Sequence, residues 1–161
     1  ETVALLSWAA MEMTRRFPGT VPMVIGDLSD EDGGRLRPHL SHQSGRDADI
    51  GYYFVGNQKL GHFKTATREN LDAEKNWTLI ELLISTGQVK YFFVDRRFHK
   101  ILYRQALEMG WTEEEARALF EAPIGKAKKS GMIRHIPGHK HHLHVRFRCP
   151  EGDARCGARR R

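Results

Sequence analysis

Long apolar runs are missing from this sequence of 161 residues. A helix that crosses a bilayer needs about 18 consecutive apolar residues, and no stretch approaches that length. Internal repeats, low-complexity segments and an evident domain boundary are missing as well. With a hydrophobic content of 40%, the chain is long enough for one domain with its own core and too short for two. Residues 1–161 are therefore predicted to form a single globular domain.

Cysteine is scarce, with two residues in the whole chain, Cys149 and Cys156. Pro150 and Gly152 between them allow the backbone to reverse, so a small disulfide-closed loop is one interpretation. A disulfide would indicate an oxidising compartment, whereas two free thiols in a cytosolic protein are the other interpretation. Taken alone, two cysteines favour the free thiols and leave the disulfide open as the alternative. A secretory signal is also missing at Glu1, and we expect the sequence to be a mature or trimmed form.

Acidic residues are outnumbered, 20 against 26 lysines and arginines, which gives a net charge of +6. This excess favours a polyanionic partner such as nucleic acid, a membrane surface or the bacterial cell wall. A nucleic-acid binder would interleave basic residues with aromatics on one face, and no such stripe is evident. The basic clusters at residues 126–129 and 159–161 are interpreted as solvated charge rather than as a binding patch.

Apolar periodicity predicts helices and short strands. The spacing predicts helices at residues 3–17, 71–86, 98–109 and 112–120. It predicts strands at residues 21–25, 47–54 and 89–94 and from residue 143 onward. Residues 122–137 are predicted to form a connection. Thr112 and Glu115 have the spacing of a capping box. His99 lies off the apolar stripe of its helix and is predicted to be exposed. Helices segregated from a small sheet in this order predict an α+β domain.

Four of the nine histidines lie within residues 138–149. From residue 143 onward, apolar and polar residues alternate, which is the period of a half-buried strand. The apolar face carries Leu143, Val145 and Phe147, and the polar face carries His142, His144, Arg146 and Arg148. Two imidazoles on one strand face can address the same point, which indicates a metal or catalytic site, with a solvated surface tract as the alternative. His141 falls on the apolar side and is left out of the predicted site.

A third metal ligand is expected from a second histidine segment far upstream. A turn at residues 44–46 is followed by alternation that puts Asp47 and Asp49 on the polar face of a strand, and the turn can bring Asp49 back toward His42. His42, Asp49 and His144 then offer two nitrogens and one oxygen and leave a fourth position for water, as a catalytic zinc centre requires. Asp47 is predicted to orient a ligand histidine or to face solvent.

His142 shares a strand face with His144 but has no place as a ligand if one position of a tetrahedral zinc ion stays open. Its predicted role is that of a general base toward the water, or of a hydrogen-bond donor to the developing oxyanion. Neither histidine segment contains a glutamate that could take this role instead.

These segments resemble the penicillin-insensitive murein endopeptidase family. The stretches that carry the resemblance are Gly-Asp-Leu-Ser at residues 26–29, Ser-His-Gln-Ser-Gly-Arg-Asp-Ala-Asp-Ile at residues 41–50 and His-Leu-His-Val-Arg-Phe-Arg-Cys-Pro at residues 142–150. The resemblance covers about residues 26–156. The family belongs to a wider group with lysostaphin, the D-alanyl-D-alanine metallopeptidases and the hedgehog signalling domain.

The resemblance implies a fold and an activity. The fold would be a small, mainly antiparallel sheet flanked by helices, with the site on the face of the sheet. The activity would be zinc-dependent hydrolysis of peptidoglycan cross-link peptides between D-alanine and meso-diaminopimelate. The glutamate base used elsewhere in the wider group would be replaced by histidine in this chain.

The resemblance also implies roles that spacing alone leaves undefined. His39 would lie close to the metal, in a supporting position beside the ligands. His139 would stand near His142 and assist proton transfer. A cysteine pair of the family falls at Cys149 and Cys156, which favours the disulfide and a periplasmic or secreted protein, although family members can have more cysteines.

Two other classes of function compete with the peptidase. A non-catalytic zinc domain that binds the cell wall or a protein would be expected to have lost a catalytic position, whereas His142 is present. A basic nucleic-acid binder with a structural metal would need the missing aromatic and basic stripe. We therefore expect a peptidase with peptidoglycan as its partner, no nucleic acid and no membrane span.

Overall fold

The computed structural model describes residues 1–121, 124, 131–153 and 156. The basic clusters at residues 126–129 and 159–161 lie outside this part of the chain. Within it, four α-helices and four short strands follow one another in the order α1, β1, α2, β2, α3, α4, β3, β4. The α+β class predicted from the sequence is confirmed.

The first two helices bury apolar side chains. Helix α1 spans Thr2–Arg16 and buries Leu6, Ala9 and Met13. Helix α2 spans Ala73–Ser85, with Trp77 and four aliphatic side chains buried in the core. Both lie where the apolar pattern predicts helices. The buried apolar side chains recur on one side of α1, whereas those of α2 surround most of the helix.

Two further helices lie between residues 96 and 119. Helix α3 spans Arg96–Glu108 and begins at Asp95, whose carboxylate accepts a hydrogen bond from Arg97 N. Helix α4 spans Glu113–Leu119 and begins with the predicted capping box, in which the Thr112 and Glu115 side chains each accept from the other's backbone N–H.

His99 corrects a prediction, because it is buried with 2% exposure. Its Nε2 lies 3.1 Å from Val94 O, so the ring satisfies a backbone carbonyl just before α3. A polar side chain with such a partner can be buried off the apolar stripe of its helix.

The four strands form one sheet. They are Asp47–Gly51 (β1), Val89–Phe93 (β2), Ile133–Arg134 (β3) and His142–Phe147 (β4), in the spatial order β1-β4-β2-β3. Strand β4 is antiparallel to both β1 and β2, and β3 is parallel to β2. The register of β1 and β4 pairs Asp49 with His144 and Asp47 with Arg146, which brings two polar pairs to one region of the sheet.

Three strand predictions differ from the structure. Residues 21–25 contribute only the isolated bridge from Ile25 to Ile50, because Pro22 lacks the N–H that a ladder needs. The strand predicted to reach residue 54 ends at Gly51. Strand β3 falls in a segment predicted to be a connection, since two residues are too few to show a period.

The apolar side of the sheet belongs to the same buried cluster as the helices. Ile50, Leu143 and Val145 lie in this cluster with Trp77 of α2 and Phe98 of α3. Within the described ranges, no helix is both long and apolar enough to span a bilayer. The core thus fixes β1 and β4 as a rigid base for the polar side chains that they share.

Candidate metal centre

Three ligand-type atoms converge where β1 meets β4. His42 Nε2 lies 3.1 Å from His144 Nδ1, His144 Nδ1 lies 3.0 Å from Asp49 Oδ1, and His42 Nε2 lies 3.4 Å from Asp49 Oδ1. Bonds of about 2.0–2.1 Å to a tetrahedral zinc ion would place its ligand atoms about 3.3 Å apart. The structure therefore brings the three predicted ligands together at a spacing that one metal ion can bridge, and all three are buried.

The remaining nitrogens of the two imidazoles are held by oxygen acceptors. His42 Nδ1 lies 2.9 Å from Leu28 O, and His144 Nε2 lies 2.8 Å from Asp47 Oδ1. Carbonyl and carboxylate oxygens accept hydrogen bonds, so each of these nitrogens donates a proton. In the neutral rings, the lone pairs of His42 Nε2 and His144 Nδ1 then face Asp49, which is the arrangement typical of metal-binding histidines.

His39 lies near the three converging side chains and faces Asp49 directly. Its Nε2 lies 2.7 Å from Asp27 Oδ2, and its Nδ1 faces Asp49 Oδ2 at 3.9 Å. His39, His42 and Asp49 each offer one atom within 4.8 Å of the others, as in a metal site. His39 is thus a further candidate ligand. The sequence did not predict that Asp27 would hold His39. Asp27 was noted only as part of the Gly-Asp-Leu-Ser stretch that resembles the family.

Asp47 lies fully buried beneath the site and is one of two groups that fix His144. Its Oδ1 accepts from His144 Nε2 at 2.8 Å and from Arg146 Nε at 2.6 Å, while its Oδ2 accepts from Arg146 Nη2 at 2.8 Å. Arg146 also donates to Ser41 O and to the Tyr91 hydroxyl. Of the two predicted alternatives for Asp47, the structure has the one in which it orients a histidine rather than faces solvent.

The electrostatics of the cluster favour a cation. Burial favours the neutral form of Asp49. When His144 Nδ1 or His42 Nε2 carries a proton, however, it donates to this carboxylate, and these hydrogen bonds outweigh burial and hold the pKa of Asp49 well below its ordinary value. The pKa of Asp47 is also lowered, because hydrogen bonds from His144 and Arg146 outweigh the effect of burial. Burial lowers the pKa of His144, yet hydrogen bonds with Asp47 and Asp49 raise it overall. A metal ion would compete with that proton for the ring.

His142 and His139 lie beside the three converging atoms. His142 Nε2 is 3.5 Å from Asp49 Oδ1, and the rings of His139 and His142 are 4.9 Å apart. Burial lowers the pKa of His142 to about 4, and burial also lowers the pKa of His139. Both rings are therefore neutral near pH 7 and able to accept a proton.

His141 requires a correction, because it does not point into the apolar core. Strand β4 begins at His142, so the alternation used to place His141 does not extend to it. Its ring is half-buried, lines the same cleft as His142 and His144, and lies with Nδ1 2.7 Å from His142 Nδ1.

A cleft of about 670 Å³ opens over the cluster. It is lined by the exposed apolar side chains of Leu40 and Ile136, and Tyr91 and Phe93 of β2 line it as well. An extended peptide has room here to lie across the histidines.

Cys149 and Cys156 are joined by a disulfide, as the family resemblance implied. The bridge closes a small loop directly after β4, and Cys156 reaches the border of the cleft.

The fold and the site define a class of protein, an α+β chain that holds a buried His and Asp cluster at the spacing of metal ligands. Comparison with known proteins identifies the family. A family model described as penicillin-insensitive murein endopeptidase matches residues 1–111, and the chain belongs to this family. A penicillin-insensitive murein endopeptidase of Haemophilus influenzae is 28% identical over 159 residues, which cover 86% of this chain and 47% of that protein. The chain thus spans about half the length of this curated relative.

Proposed function

We propose that this chain is a zinc-dependent peptidoglycan endopeptidase that hydrolyses amide bonds in murein cross-link peptides of the D-alanyl-meso-diaminopimelate type. Family membership and the name of the Haemophilus influenzae relative support the substrate class. The observation that carries the proposal is the convergence of His42, Asp49 and His144 within 3.0–3.4 Å of one another, with the other imidazole nitrogens bound to oxygen.

The donor set fits zinc. Two imidazole nitrogens and one carboxylate oxygen, oriented by Leu28 O and Asp47, are the ligands and outer partners that catalytic zinc sites use. We assign His42, Asp49 and His144 as ligands, because the 3.9 Å from His39 Nδ1 to Asp49 Oδ2 exceeds the distances within that set. His39 lies next to them and is the first candidate for an additional ligand. When bound, zinc lowers the pKa of water to about 7 and polarises a carbonyl as a Lewis acid.

The side chains around the cluster would move the protons. The neutral His142 ring presents Nε2 beside Asp49, where it would accept a proton from the attacking water and return it to the leaving amine. His139, whose Nδ1 donates to Ile136 O and whose ring lies 4.9 Å from that of His142, would support this transfer. The cleft walls at Leu40 and Ile136 would hold the peptide across the site.

The proposed location is the periplasm or the exterior of a bacterium, and residues 1–161 are proposed to form one domain. The Cys149–Cys156 disulfide supports this location, because such bonds persist in oxidising compartments. Peptidoglycan, an anionic polymer, is the proposed partner of a chain with a net charge of +6.

Digestion of purified sacculi tests the proposal. The zinc-loaded protein should release muropeptide fragments, identified by mass spectrometry, and His142→Ala should lose about 100-fold or more of the rate while keeping its zinc. His144→Ala and Asp49→Ala should lose the zinc as well. His62→Ala is the matched control, because His62 is an exposed histidine that does not line the cleft.

Two outcomes would contradict the assignment. Binding of sacculi without cleavage by the zinc-loaded wild-type protein would identify a non-catalytic wall-binding module. Wild-type cleavage by His142→Ala would remove this side chain from the mechanism.

A further inference from the structure

The His142 ring is held from two directions that metal binding does not explain. Its Nδ1 lies 2.7 Å from His141 Nδ1, and its face lies against the Phe63 ring, with ring centroids 5.0 Å apart and planes inclined by 28°. Phe63 also stacks on His141, at 6.0 Å and 18°. Phe63 thus stacks on both histidine rings, which are tilted by 44° to one another with centroids 4.6 Å apart.

The contact between the two Nδ1 atoms constrains where the His142 proton lies. At 2.7 Å one ring donates a proton and the other accepts it. In the described part of the chain, His142 Nδ1 has this partner at hydrogen-bond distance, whereas Nε2 has Asp49 Oδ1 at 3.5 Å. A proton on His142 Nδ1, donated to His141, leaves the Nε2 lone pair directed toward the proposed ligands.

The position of Phe63 depends on two glycines of the neighbouring backbone. A Cβ atom added to Gly26 would lie 2.5 Å from Phe63 Cζ, and one added to Gly51 would lie 3.2 Å from Phe63 Cδ1. Gly26 and Gly51 are themselves anchored to β1 and its neighbouring segment, through hydrogen bonds to Asp49 O and Val24 O. The missing side chains leave a slot that the Phe63 ring occupies.

A backbone contact joins the same loop to the histidine segment. Ala66 N donates to Lys140 O at 2.8 Å, immediately before His141. The loop that carries Phe63 is therefore attached beside the rings on which Phe63 stacks.

We propose that His141 and Phe63 are positioning residues that hold His142 in the orientation and tautomer needed to accept a proton at Nε2. This inference rests on the proposed function, since it assigns His142 its role in the hydrolysis. His141 sets the proton on Nδ1, and Phe63 sets the plane of the ring.

Steady-state kinetics on a soluble cross-linked muropeptide dimer test the role of His141. His141→Leu should lower kcat on the order of 10- to 100-fold, as loss of an orienting partner does elsewhere, with KM within about twofold of wild type and unchanged zinc content. His141→Asn should recover most of kcat, because its amide oxygen can accept at the position of Nδ1. A side chain that only filled space would not give this difference between leucine and asparagine.

The glycine slot provides an independent test of Phe63. Phe63→Leu and Gly26→Ala should each lower kcat about 10-fold, because each removes or displaces the stacked ring. Gly26→Ala should have little further effect in the Phe63→Leu background, since its clash is with the Phe63 ring. Additive effects of the two changes would overturn the role of Phe63.

Nitrogen NMR of the imidazoles in the metal-free protein gives a readout besides activity. In the wild type, the His142 proton should reside on Nδ1, and His141→Leu should shift part of the population to Nε2. A wild-type proton on Nε2 would overturn the inference.

The same variants separate the two proposals. Full activity in His142→Ala would contradict the proposed role of His142 itself. Loss of activity in His142→Ala together with wild-type kcat in His141→Leu and Phe63→Leu would contradict only the positioning role.

Discussion

The Asp47 carboxylate is shielded from solvent and accepts hydrogen bonds from two side chains, His144 and Arg146. It accepts from His144 Nε2 and makes a two-point contact with the Arg146 guanidinium. Arg146 compensates the buried charge, and Asp47 in turn fixes the tautomer of the histidine above it. This pair was only partly predictable, because the strand pattern placed Arg146 on the polar face without indicating its partner.

Asp47→Asn should weaken zinc binding by about 10- to 100-fold. The amide can donate to His144 Nε2, which would move the ring proton to the nitrogen that faces the metal. A competition titration with a chromophoric chelator measures the affinity. Asp27→Asn is the matched comparison, because the Asp27 side chain is 59% exposed and holds the more distant His39, so we expect a smaller loss there. Equal losses would contradict this ranking.

The buried ring of His99 should make stability depend on pH. Burial lowers its pKa below the ordinary value of 6.5, so the folded protein favours the neutral ring. As pH falls below about 6.5 the unfolded chain takes up a proton first, and stability is lost progressively down to the folded pKa. The loss cannot exceed about 1.4 kcal/mol per pH unit for one proton.

Urea unfolding of the metal-free protein between about pH 7.5 and pH 5 measures this effect. His99→Gln keeps a donor for Val94 O but has no titrating group, so its unfolding free energy should fall less steeply with pH than that of the wild type. Parallel curves would show that His99 does not contribute.

At the level of elements, the helices were predictable, whereas strand β3 and the bridge at residues 21–25 were not. Helix α4 could be placed from Thr112 and Glu115 alone, because a capping box is a local interaction. Strand β3 depends instead on its pairing of Phe92 with Ile133, a contact between distant segments that leaves no periodic pattern. The same limit applies to residues 21–25, whose bridge to β1 is set by tertiary contacts.

Gly131, just before β3, is packed against backbone that cannot move aside easily. A Cβ atom there would lie 2.5 Å from Glu121 N and 2.7 Å from Leu119 O. Gly131→Ala should therefore lower the free energy of unfolding by about 1–3 kcal/mol, as overpacking does. Gly61→Ala is the control, because a Cβ at Gly61 meets nothing within 4 Å, and it should change stability by less than about 0.5 kcal/mol. Urea denaturation measures both, and equal values would contradict the packing argument.

At the level of the whole molecule, the proposed metal would connect segments that are distant in the chain. His42 and His144 are separated by 102 residues, and Asp49 lies on the strand that pairs with the one carrying His144. The convergence of His42, Asp49 and His144 was predictable because the turn and strand patterns indicated the direction of these side chains. The contacts of His39 with Asp27 and of His141 with His142 were not, because they arise from loops whose paths the sequence pattern does not define.

Removal of metal should destabilise the fold as a whole. A ligand that binds only the folded state at 100 times its Kd adds about 2.7 kcal/mol, so zinc should raise Tm and chelation should lower it. Thermal unfolding with and without zinc measures the shift. The double variant His42→Ala, Asp49→Ala should show no zinc-dependent shift, and a shift of wild-type size in that variant would place the metal elsewhere.

The central position of β4 has a consequence for the order of assembly. This strand lies between β1 and β2, yet it follows both of them in the chain and carries His142 and His144. Until it is synthesised and inserted, β1 and β2 have no neighbour on their facing edges and the histidine cluster has only its upstream members. An incomplete nascent chain of the proposed hydrolase would therefore be inactive. Hydrolysis of peptidoglycan would begin only after β4 has paired with β1 and β2.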